Sequence, residues 1–247
     1  MQIIKSSLFA KYPEVVFGFS TKIGLNRIPP YCFNLSFNIG DDNSTVKENR
    51  EAFFGELNIN NDQVCFQKQI HSDIITCVQS SGNCGESDAL ITDKPYLALS
   101  ITSADCTPIF IYDSENKIVA AIHSGWRGTQ QKITLKAVNK LIDVYNSKPE
   151  NLIVFIGPSI SQKNYEVGVE VARLFDEKYL KKIDSRYYLN VSKNNYDMIV
   201  ETGISESQIE YSDLCTYDEA ELLHSYRRDG AISGRALGLI YWRDDVR

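Results

Sequence analysis

The strongest constraint on the fold is a pair of apolar segments, residues 108–112 and 117–122, that flank the polar stretch Asp113-Ser114-Glu115-Asn116. Two apolar runs separated by a short polar turn predict a β-hairpin. Comparable runs predict strands at residues 74–78, 96–102 and 237–242. A fully apolar run at 152–156, between Pro149 and Gly157-Pro158, is typical of a buried strand.

Helical spacing of apolar residues appears in three segments. Residues 43–57 contain a Thr45-x-x-Glu48 pattern typical of a capping box, and an apolar stripe runs through residues 135–145. A third helix is predicted near residues 166–180. Because strands and helices do not strictly alternate, the predicted fold class is mixed α/β (α+β), with mixed sheets instead of a doubly wound parallel sheet.

The chain has 247 residues, of which 43% are hydrophobic and 23% charged. This composition is that of a globular protein and excludes a disordered or fibrous chain. Residues 28–30 and 80–85 are interpreted as loops, since strand-like runs resume quickly on both sides of each. We therefore predict a single domain spanning residues 1–247.

The charge balance limits the partners. Lys and Arg number 26 and Asp and Glu 32, a net charge of −6, which argues against a nucleic-acid or membrane-surface binder. The N-terminus lacks the apolar core of a signal peptide, and the six cysteines include no C-x-x-C pair. The sequence thus predicts a cytoplasmic protein whose cysteines are reduced. We expect a monomer, with an oligomer as the alternative.

Polar, chemically active residues follow predicted strand ends at 69–73, 102–108 and 120–128. These segments carry His71, Cys106 and His123. Two imidazoles and a thiolate suit Zn²⁺ and leave a fourth position for water or substrate. Their long spacings match no local metal motif, so the residues alone leave structural roles equally open: a hydrogen-bonded histidine or a small buried cysteine.

Several motifs in order resemble the YfiH/laccase-domain family, also called the multicopper polyphenol oxidase or purine nucleoside phosphorylase family. The central ones are Gln69-Ile70-His71, Ser103-Ala104-Asp105-Cys106-Thr107-Pro108 and His123-Ser124-Gly125-Trp126-Arg127-Gly128. Others lie at residues 18–22, 38–42, 48–50, 88–92, 156–158, 165–168 and 225–230. The resemblance covers about residues 17 to 243. Ser159, Asn164, Lys22 and Ser124 depart from common family residues, and none is a proposed ligand.

The resemblance implies a single four-layer α/β/β/α domain with mixed sheets. It implies a His-Cys-His metal site, which falls here on His71, Cys106 and His123. It also implies phosphorolysis of purine nucleosides (adenosine, inosine and methylthioadenosine), with adenosine deamination at the same site. An older family label is copper-dependent, laccase-like oxidation of phenols.

Histidine count separates these activities. A multicopper centre needs many histidines, and this chain has three. We therefore expect zinc, with a single copper as the alternative, and a nucleoside and phosphate as small-molecule partners. Arg127, Arg50 and Lys22 are candidate cations for phosphate, because guanidinium groups bind it bidentately.

For proton transfer or water orientation, Asp105 is the first candidate and Glu166 the second. Two other classes stay open. Cys106 with His71 or His123 resembles the thiolate–imidazole pair of a cysteine hydrolase, a reading linked to editing of peptidoglycan precursors. The other open class is a non-catalytic protein that binds a partner, and a large exposed apolar patch would favour it.

Overall fold

The structure is a computed structural model that describes residues 1–244; residues 245–247 of the predicted domain lie outside the described residues. Its strands, in chain order, are β1 (Ile3–Ile4), β2 (Val15–Ser20), β3 (Val64–Lys68), β4 (Ile75–Cys77), β5 (Gly82–Glu86), β6 (Ala89–Thr92), β7 (Ala98–Ser103), β8 (Thr107–Asp113), β9 (Ile118–Ser124), β10 (Leu152–Ile156), β11 (Glu166–Val167), β12 (Leu180–Ile183), β13 (Arg186–Leu189), β14 (Ile209–Tyr211) and β15 (Ala236–Trp242). Its α-helices are α1 (Asn43–Glu56), α2 (Trp126–Gln130), α3 (Ile133–Tyr145), α4 (Val169–Ala172), α5 (Val191–Glu201) and α6 (Tyr226–Asp229).

Two six-stranded sheets form the body of the fold. The first has the order β1-β2-β15-β7-β3-β5, and the second has the order β14-β10-β8-β9-β6-β4. Each sheet combines parallel pairs, such as β3 with β7 and β4 with β6, with antiparallel ones. The predicted mixed sheets are therefore confirmed. A small third sheet, β11-β13-β12, lies outside both.

The predicted hairpin is confirmed as β8 and β9, which lie at the centre of the second sheet. Asp113 fixes the turn, because its Oδ1 accepts hydrogen bonds from the backbone nitrogens of Glu115 and Asn116, both at 2.9 Å. Every residue of both strands is buried. A strand that is apolar on both faces must be covered on both, which places this hairpin between two layers.

Alternation along β8 defines the four layers. Phe110 belongs to the core between the two sheets, where its ring centroid lies 4.9 Å from that of Phe17 on β2. Ile109 and Ile111 belong to the other face, which packs against α3 and α5. Because successive side chains point to opposite faces, one strand serves both layers. On the far side, Phe53 and Phe54 of α1 cover the first sheet. The α/β/β/α arrangement is as expected.

Two details of the predicted helices were wrong. Helix α1 is capped by Asp42, whose side chain accepts a hydrogen bond from the Thr45 nitrogen at 2.8 Å, so the predicted Thr45–Glu48 capping box does not form. Glu48 instead pairs with Arg27. The predicted helix near 166–180 is only the four-residue α4, because Val167 pairs with Tyr187 in the small sheet.

Backbone pairing produced strands that the apolar pattern did not predict. Residues 80–85 were expected to be a loop, yet β5 pairs in parallel with β3 through Cys65 and Gly82. Most β5 side chains are exposed, so no hydrophobic pattern marks it. Directly after β9, Gly125 caps the short helix α2, which begins at Trp126. Within residues 1–244, no helix has the length and apolarity needed to cross a membrane.

Close packing between the sheets predicts different effects for the same substitution at two glycines. A Cβ at Gly238 on β15 would overlap the ring of Phe110 and lie 2.9 Å from Phe19 Cδ2. Gly238→Ala should lower the free energy of unfolding by about 1–3 kcal/mol through overpacking. Gly55 in α1 has open space around it, so Gly55→Ala should raise stability by up to about 1 kcal/mol. Urea unfolding measures both, and equal stability of the two variants would contradict this packing.

Candidate functional site

Three strand ends bring His71, Cys106 and His123 together. His71 follows β3, Cys106 lies in the turn between β7 and β8, and His123 is on β9. One ligand atom from each of these side chains lies within 4.8 Å of the others, and Cys106 Sγ is 3.9 Å from His71 Nε2. The strand pairing explains the approach, because Pro108, two residues after Cys106, lies opposite His123.

The turn that carries Cys106 is held by hydrogen bonds. Ser103 Oγ donates to the Cys106 carbonyl oxygen at 2.6 Å. Asp105 adopts a positive φ of 92°, which is uncommon for a residue other than glycine. Its carboxylate is fully engaged: Oδ1 accepts from Thr216 Oγ1 and Oδ2 from the Arg227 nitrogen, both at 2.6 Å. These bonds link the cysteine turn to α6.

Asp88, a fully buried carboxylate, orients both histidine segments. Its Oδ1 lies 2.9 Å from His123 Nδ1, which must donate because a carboxylate only accepts. Its Oδ2 accepts from the Ser72 nitrogen at 2.6 Å and from Ser72 Oγ at 2.8 Å, beside His71. The bond to Nδ1 leaves His123 Nε2 as the ring atom free to bind a metal.

Electrostatics favour the ligand-competent form of the cysteine. Burial opposes ionisation of Cys106, but the charge of His123 and hydrogen bonds from both histidines outweigh it and lower the pKa of the thiol to about 6. Burial also opposes protonation of His123, but Cys106 and Asp88 outweigh it and raise the pKa of His123 to about 9. For Asp88, burial is likewise outweighed by hydrogen bonds from His123 and Ser72, and its pKa falls to about 2. A thiolate is the form of cysteine that binds metals.

Gly125 leaves space beside the three side chains. A Cβ there would lie 2.9 Å from Cys106 Sγ and 3.0 Å from His71 Cδ2, so a side chain would crowd two of the donors. Two imidazoles and a thiolate match the donor preference of Zn²⁺, and a set of three leaves one position for water or substrate. The residues present therefore fit a zinc ion.

Within residues 1–244, no second group of three His, Cys, Asp or Glu side chains lies close enough to hold a metal. The third histidine, His224, is buried elsewhere, with Nε2 at 3.3 Å from the Phe33 carbonyl oxygen. Burial lowers the pKa of His224 to about 4. It is not a member of the site.

A pocket of about 580 Å³, here called the metal-site pocket, opens over the three side chains. It is lined by Ser36, Asn38, Ile39, Gln67, Lys68, Gln69, His71, Thr102, Ser103, Ala104, Asp105, Cys106, His123, Trp126, Arg127, Tyr165, Tyr226, Arg227 and Arg235. Four of these are Lys or Arg and one is acidic. With four cationic side chains against one carboxylate, Asp105, the pocket is basic in a chain of net charge −6.

Each arginine of the metal-site pocket lies over an aromatic ring. The guanidinium carbon is 4.3 Å from the ring centroid of Trp126 for Arg127, 4.9 Å from that of Tyr165 for Arg227, and 5.3 Å from that of Tyr226 for Arg235. Cation–π contacts of this kind restrain long side chains. The arrangement offers fixed positive charge and flat aromatic surface to a ligand.

Residues 16–243 match the family model described as multi-copper polyphenol oxidoreductase laccase. The chain belongs to this family. It is 33% identical, over 84% of its length and 86% of the relative's, to a purine nucleoside phosphorylase of Clostridium acetobutylicum. It is 29% identical, over 92% and 88% of the two lengths, to the purine nucleoside phosphorylase YlmD of Bacillus subtilis.

Two solved structures of this family share the fold. A hypothetical protein YfiH from Bacillus licheniformis matches with a TM-score of 0.89 at 30% identity, covering 94% of each chain. YlmD from Geobacillus stearothermophilus matches with a TM-score of 0.90 at 26% identity, covering 97% of this chain and 94% of that one. The predicted family and fold class are confirmed.

In this member of the laccase family, the other predicted site residues fall in different places. Arg127 and Asp105 line the metal-site pocket, and Arg50 lines an adjoining groove. Lys22 instead donates to the Ala220 carbonyl oxygen in a separate surface depression. The Glu166 carboxylate lies 3.5 Å from Arg186 and does not line the metal-site pocket.

Several residues of the pocket were absent from the predicted site. Tyr165 and Arg227 lie in motifs at 165–168 and 225–230 that carried the family resemblance, so the sequence held a signal for both. Arg235 had none, because it directly precedes an apolar strand and no polar pattern surrounds it. Asp88 was also within a motif, but its role depends on burial and on contacts that spacing does not reveal.

Loss of the Asp88 carboxylate should weaken metal binding. In Asp88→Asn an NH₂ group, which cannot accept a hydrogen bond, replaces one carboxylate oxygen. Either His123 or Ser72 then loses its acceptor, so the histidine segment on that side is no longer held in a fixed orientation. We expect zinc affinity to fall by about 10–100-fold, as for other orienting carboxylates. Competition with a chromophoric chelator measures it.

The matched control is Asp93→Asn. Asp93 lies just beyond β6, is partly exposed and pairs with Lys94 at 3.4 Å. The zinc affinity of the Asp93→Asn variant should therefore equal that of the wild type. Circular dichroism establishes that both variants are folded. Wild-type zinc affinity in folded Asp88→Asn would contradict the orienting role.

Proposed function

We propose that this protein is a zinc-dependent purine nucleoside phosphorylase. The observation that carries the proposal is the His71–Cys106–His123 set at the base of a basic, aromatic-lined pocket. Relatives near 30% identity that are named purine nucleoside phosphorylases support it. Adenosine, inosine and methylthioadenosine are the proposed substrates, with phosphate as the second substrate.

The size and lining of the metal-site pocket suit a nucleoside. Its volume of about 580 Å³ lies within the range of roughly 300–1,000 Å³ typical of small-molecule sites. The exposed ring of Tyr226 and the partly buried rings of Trp126 and Tyr165 offer faces on which a purine can stack. The neighbouring arginines favour a ligand that carries negative charge.

Phosphorolysis requires a phosphate oxygen to bond to C1′ of the ribose while the bond from C1′ to the purine nitrogen breaks. The electron pair of that bond leaves with the purine, which takes up a proton, and the products are the free base and ribose 1-phosphate, or 5-methylthioribose 1-phosphate from methylthioadenosine. Arg127, Arg227 and Arg235 would balance the negative charge that accumulates around this step. Their contacts with aromatic rings hold them in place before substrate arrives.

His71, Cys106 and His123 would hold the zinc ion in this proposal. Bound there, zinc supplies a Lewis acid that polarises a water or a purine substituent at its open position. Asp88 keeps His123 in the tautomer that can bind, and the low pKa of Cys106 keeps the sulfur ionised. Deamination of adenosine is proposed at the same site: water adds to C6, the bond from C6 to the amino nitrogen breaks, and ammonia leaves to give inosine.

Asp105 is better suited to positioning than to proton transfer, because both its oxygens accept hydrogen bonds from the protein. It would hold Cys106 and the start of α6 at a fixed separation. Lys22 and Glu166 take no part in the proposed reaction, since their side chains contact residues outside the metal-site pocket.

Copper-dependent oxidation of phenols, the activity in the family's name, is less consistent with this chain than the zinc proposal. The chain has three histidines, and His224 is buried away from the other two, so a histidine-rich copper cluster has too few ligands. A single copper on the same His-Cys-His set is chemically sound, but one copper lacks the electrons to carry O₂ to water by the multicopper route. Metal analysis of the native protein separates zinc from copper.

A cysteine hydrolase is the second candidate function. The site also has the arrangement of a nucleophilic triad: the Cys106 thiolate lies beside the His123 imidazole, which Asp88 orients through its carboxylate. This candidate predicts rapid stoichiometric alkylation of Cys106 in metal-free protein and activity that a chelator does not inhibit. The zinc proposal predicts inhibition by the chelator.

Loss of a ligand should remove both zinc and activity. We expect Cys106→Ser and His123→Ala to retain less than about a tenth of the wild-type zinc and to lose at least about 100-fold in kcat/KM for adenosine phosphorolysis. Elemental analysis and chromatography of adenine and ribose 1-phosphate measure these quantities. Parallel reactions without phosphate report deamination as inosine.

Cys77→Ser is the matched control for the cysteine substitution. Cys77 is an exposed cysteine on β4 that does not line the metal-site pocket, so zinc content and turnover should be unchanged. Full zinc occupancy and full activity in both ligand variants would refute the proposed function.

A further inference from the structure

A second groove, of about 410 Å³, adjoins the metal-site pocket. Both cavities share one wall, formed by Ser36, Asn38, Gln67, Lys68, Gln69 and Thr102. The groove continues past this wall to Phe37, Arg50, Phe66, Asn83 and Ser100. We call it the Arg50 groove. A ligand in one cavity is therefore next to a ligand in the other.

Arg50 is held in one orientation by three contacts. Its guanidinium carbon lies 4.4 Å from the ring centroid of Phe37 and 4.5 Å from that of Phe66. Its Nε donates to the Leu35 carbonyl oxygen at 2.8 Å. A planar guanidinium fixed between two rings keeps its two terminal nitrogens in a defined direction before any ligand binds.

The charge of Arg50 has no protein counter-ion within residues 1–244. No carboxylate there forms an ion pair with it, and its terminal nitrogens donate to no protein acceptor in that part of the chain. Burial lowers the pKa of Arg50 to about 10, so the group is partly desolvated yet still charged at neutral pH. A partly buried cation with no carboxylate beside it is stabilised by binding an anion.

The rest of the Arg50 groove also suits an oxyanion. Lys68 adds a second cation, whose ion pair with Glu86 at 2.8 Å is on the exposed surface. No acidic residue lines the groove. The hydroxyls of Ser100 and Thr102 already donate to protein acceptors, whereas Nε2 of Gln67 is buried without a hydrogen-bond partner within residues 1–244 and is a donor suited to a phosphate oxygen.

We infer that the Arg50 groove binds a phosphate group, held bidentately by the terminal nitrogens of Arg50 and by the ammonium of Lys68. This inference rests on the proposed function, because a phosphorylase needs a place for its second substrate beside the nucleoside. The same chemistry could come from inorganic phosphate or from the 5′-phosphate of a nucleotide whose base occupies the metal-site pocket. The two sources are separated by direct binding experiments.

Isothermal titration of inorganic phosphate into the intact, zinc-loaded protein, without nucleoside, tests the inference. Wild-type protein should bind phosphate saturably. Arg50→Gln should weaken this binding by about tenfold or more, since a charged, bidentate donor is lost. Lys68→Gln should weaken it by about threefold, since this cation is exposed. Lys47→Gln, an exposed lysine on the same helix, should have no effect.

Lys68→Gln keeps the test decisive if Arg50→Gln fails to fold, because Lys68 makes its ion pair at the surface. A second titration uses adenosine 5′-monophosphate. Binding of the nucleotide but not of inorganic phosphate, with the same dependence on Lys68 and Arg50, supports the inference with the nucleotide as the source.

Saturable binding of neither ligand, or wild-type affinity in the folded Gln variants, would overturn the inference. Neither titration requires turnover. Absence of phosphorolysis with phosphate binding intact would therefore count against the proposed function alone.

Discussion

The buried carboxylate of Asp88 is the contact on which the site depends. One oxygen accepts from His123 Nδ1 and the other from Ser72, next to His71, so a single side chain orients both histidine segments. A charge at this depth is costly unless hydrogen bonds satisfy it, and those from His123 and Ser72 do so and lower the pKa of Asp88 to about 2. The two sheets make this arrangement available, because they bring the ends of β3, β7 and β9 to one place.

Charge is distributed unevenly around that centre. The chain is acidic overall, yet the metal-site pocket and the Arg50 groove are lined by arginine and lysine with one acid, Asp105, whose oxygens are both engaged. Aromatic rings restrain the arginines in both cavities. Fixed cations in a concave site attract anions and hold them without large reorganisation. The ligand pair that we propose for this layout is a neutral nucleoside beside a phosphate group.

The sequence was most informative where burial imposes a pattern. The hairpin of β8 and β9 and the strand β10 were predicted correctly because they are apolar on both faces. The strand β5 escaped detection because it is defined by backbone pairing and its side chains are mostly exposed. Strand-end positions pointed to His71, Cys106 and His123, although only the family resemblance singled them out as ligands. Arg235 could not be predicted, because only the fold brings it to the pocket.

The central claim is that His71, Cys106 and His123 bind one zinc ion. X-ray absorption at the zinc edge of the purified protein tests it most directly, because the nearest-neighbour shell reports the donor atoms themselves. The account predicts one sulfur at about 2.3 Å and two imidazole nitrogens at about 2.0–2.1 Å, with the sulfur lost in Cys106→Ser. A shell without sulfur, or one that keeps its sulfur in Cys106→Ser, would contradict the claim.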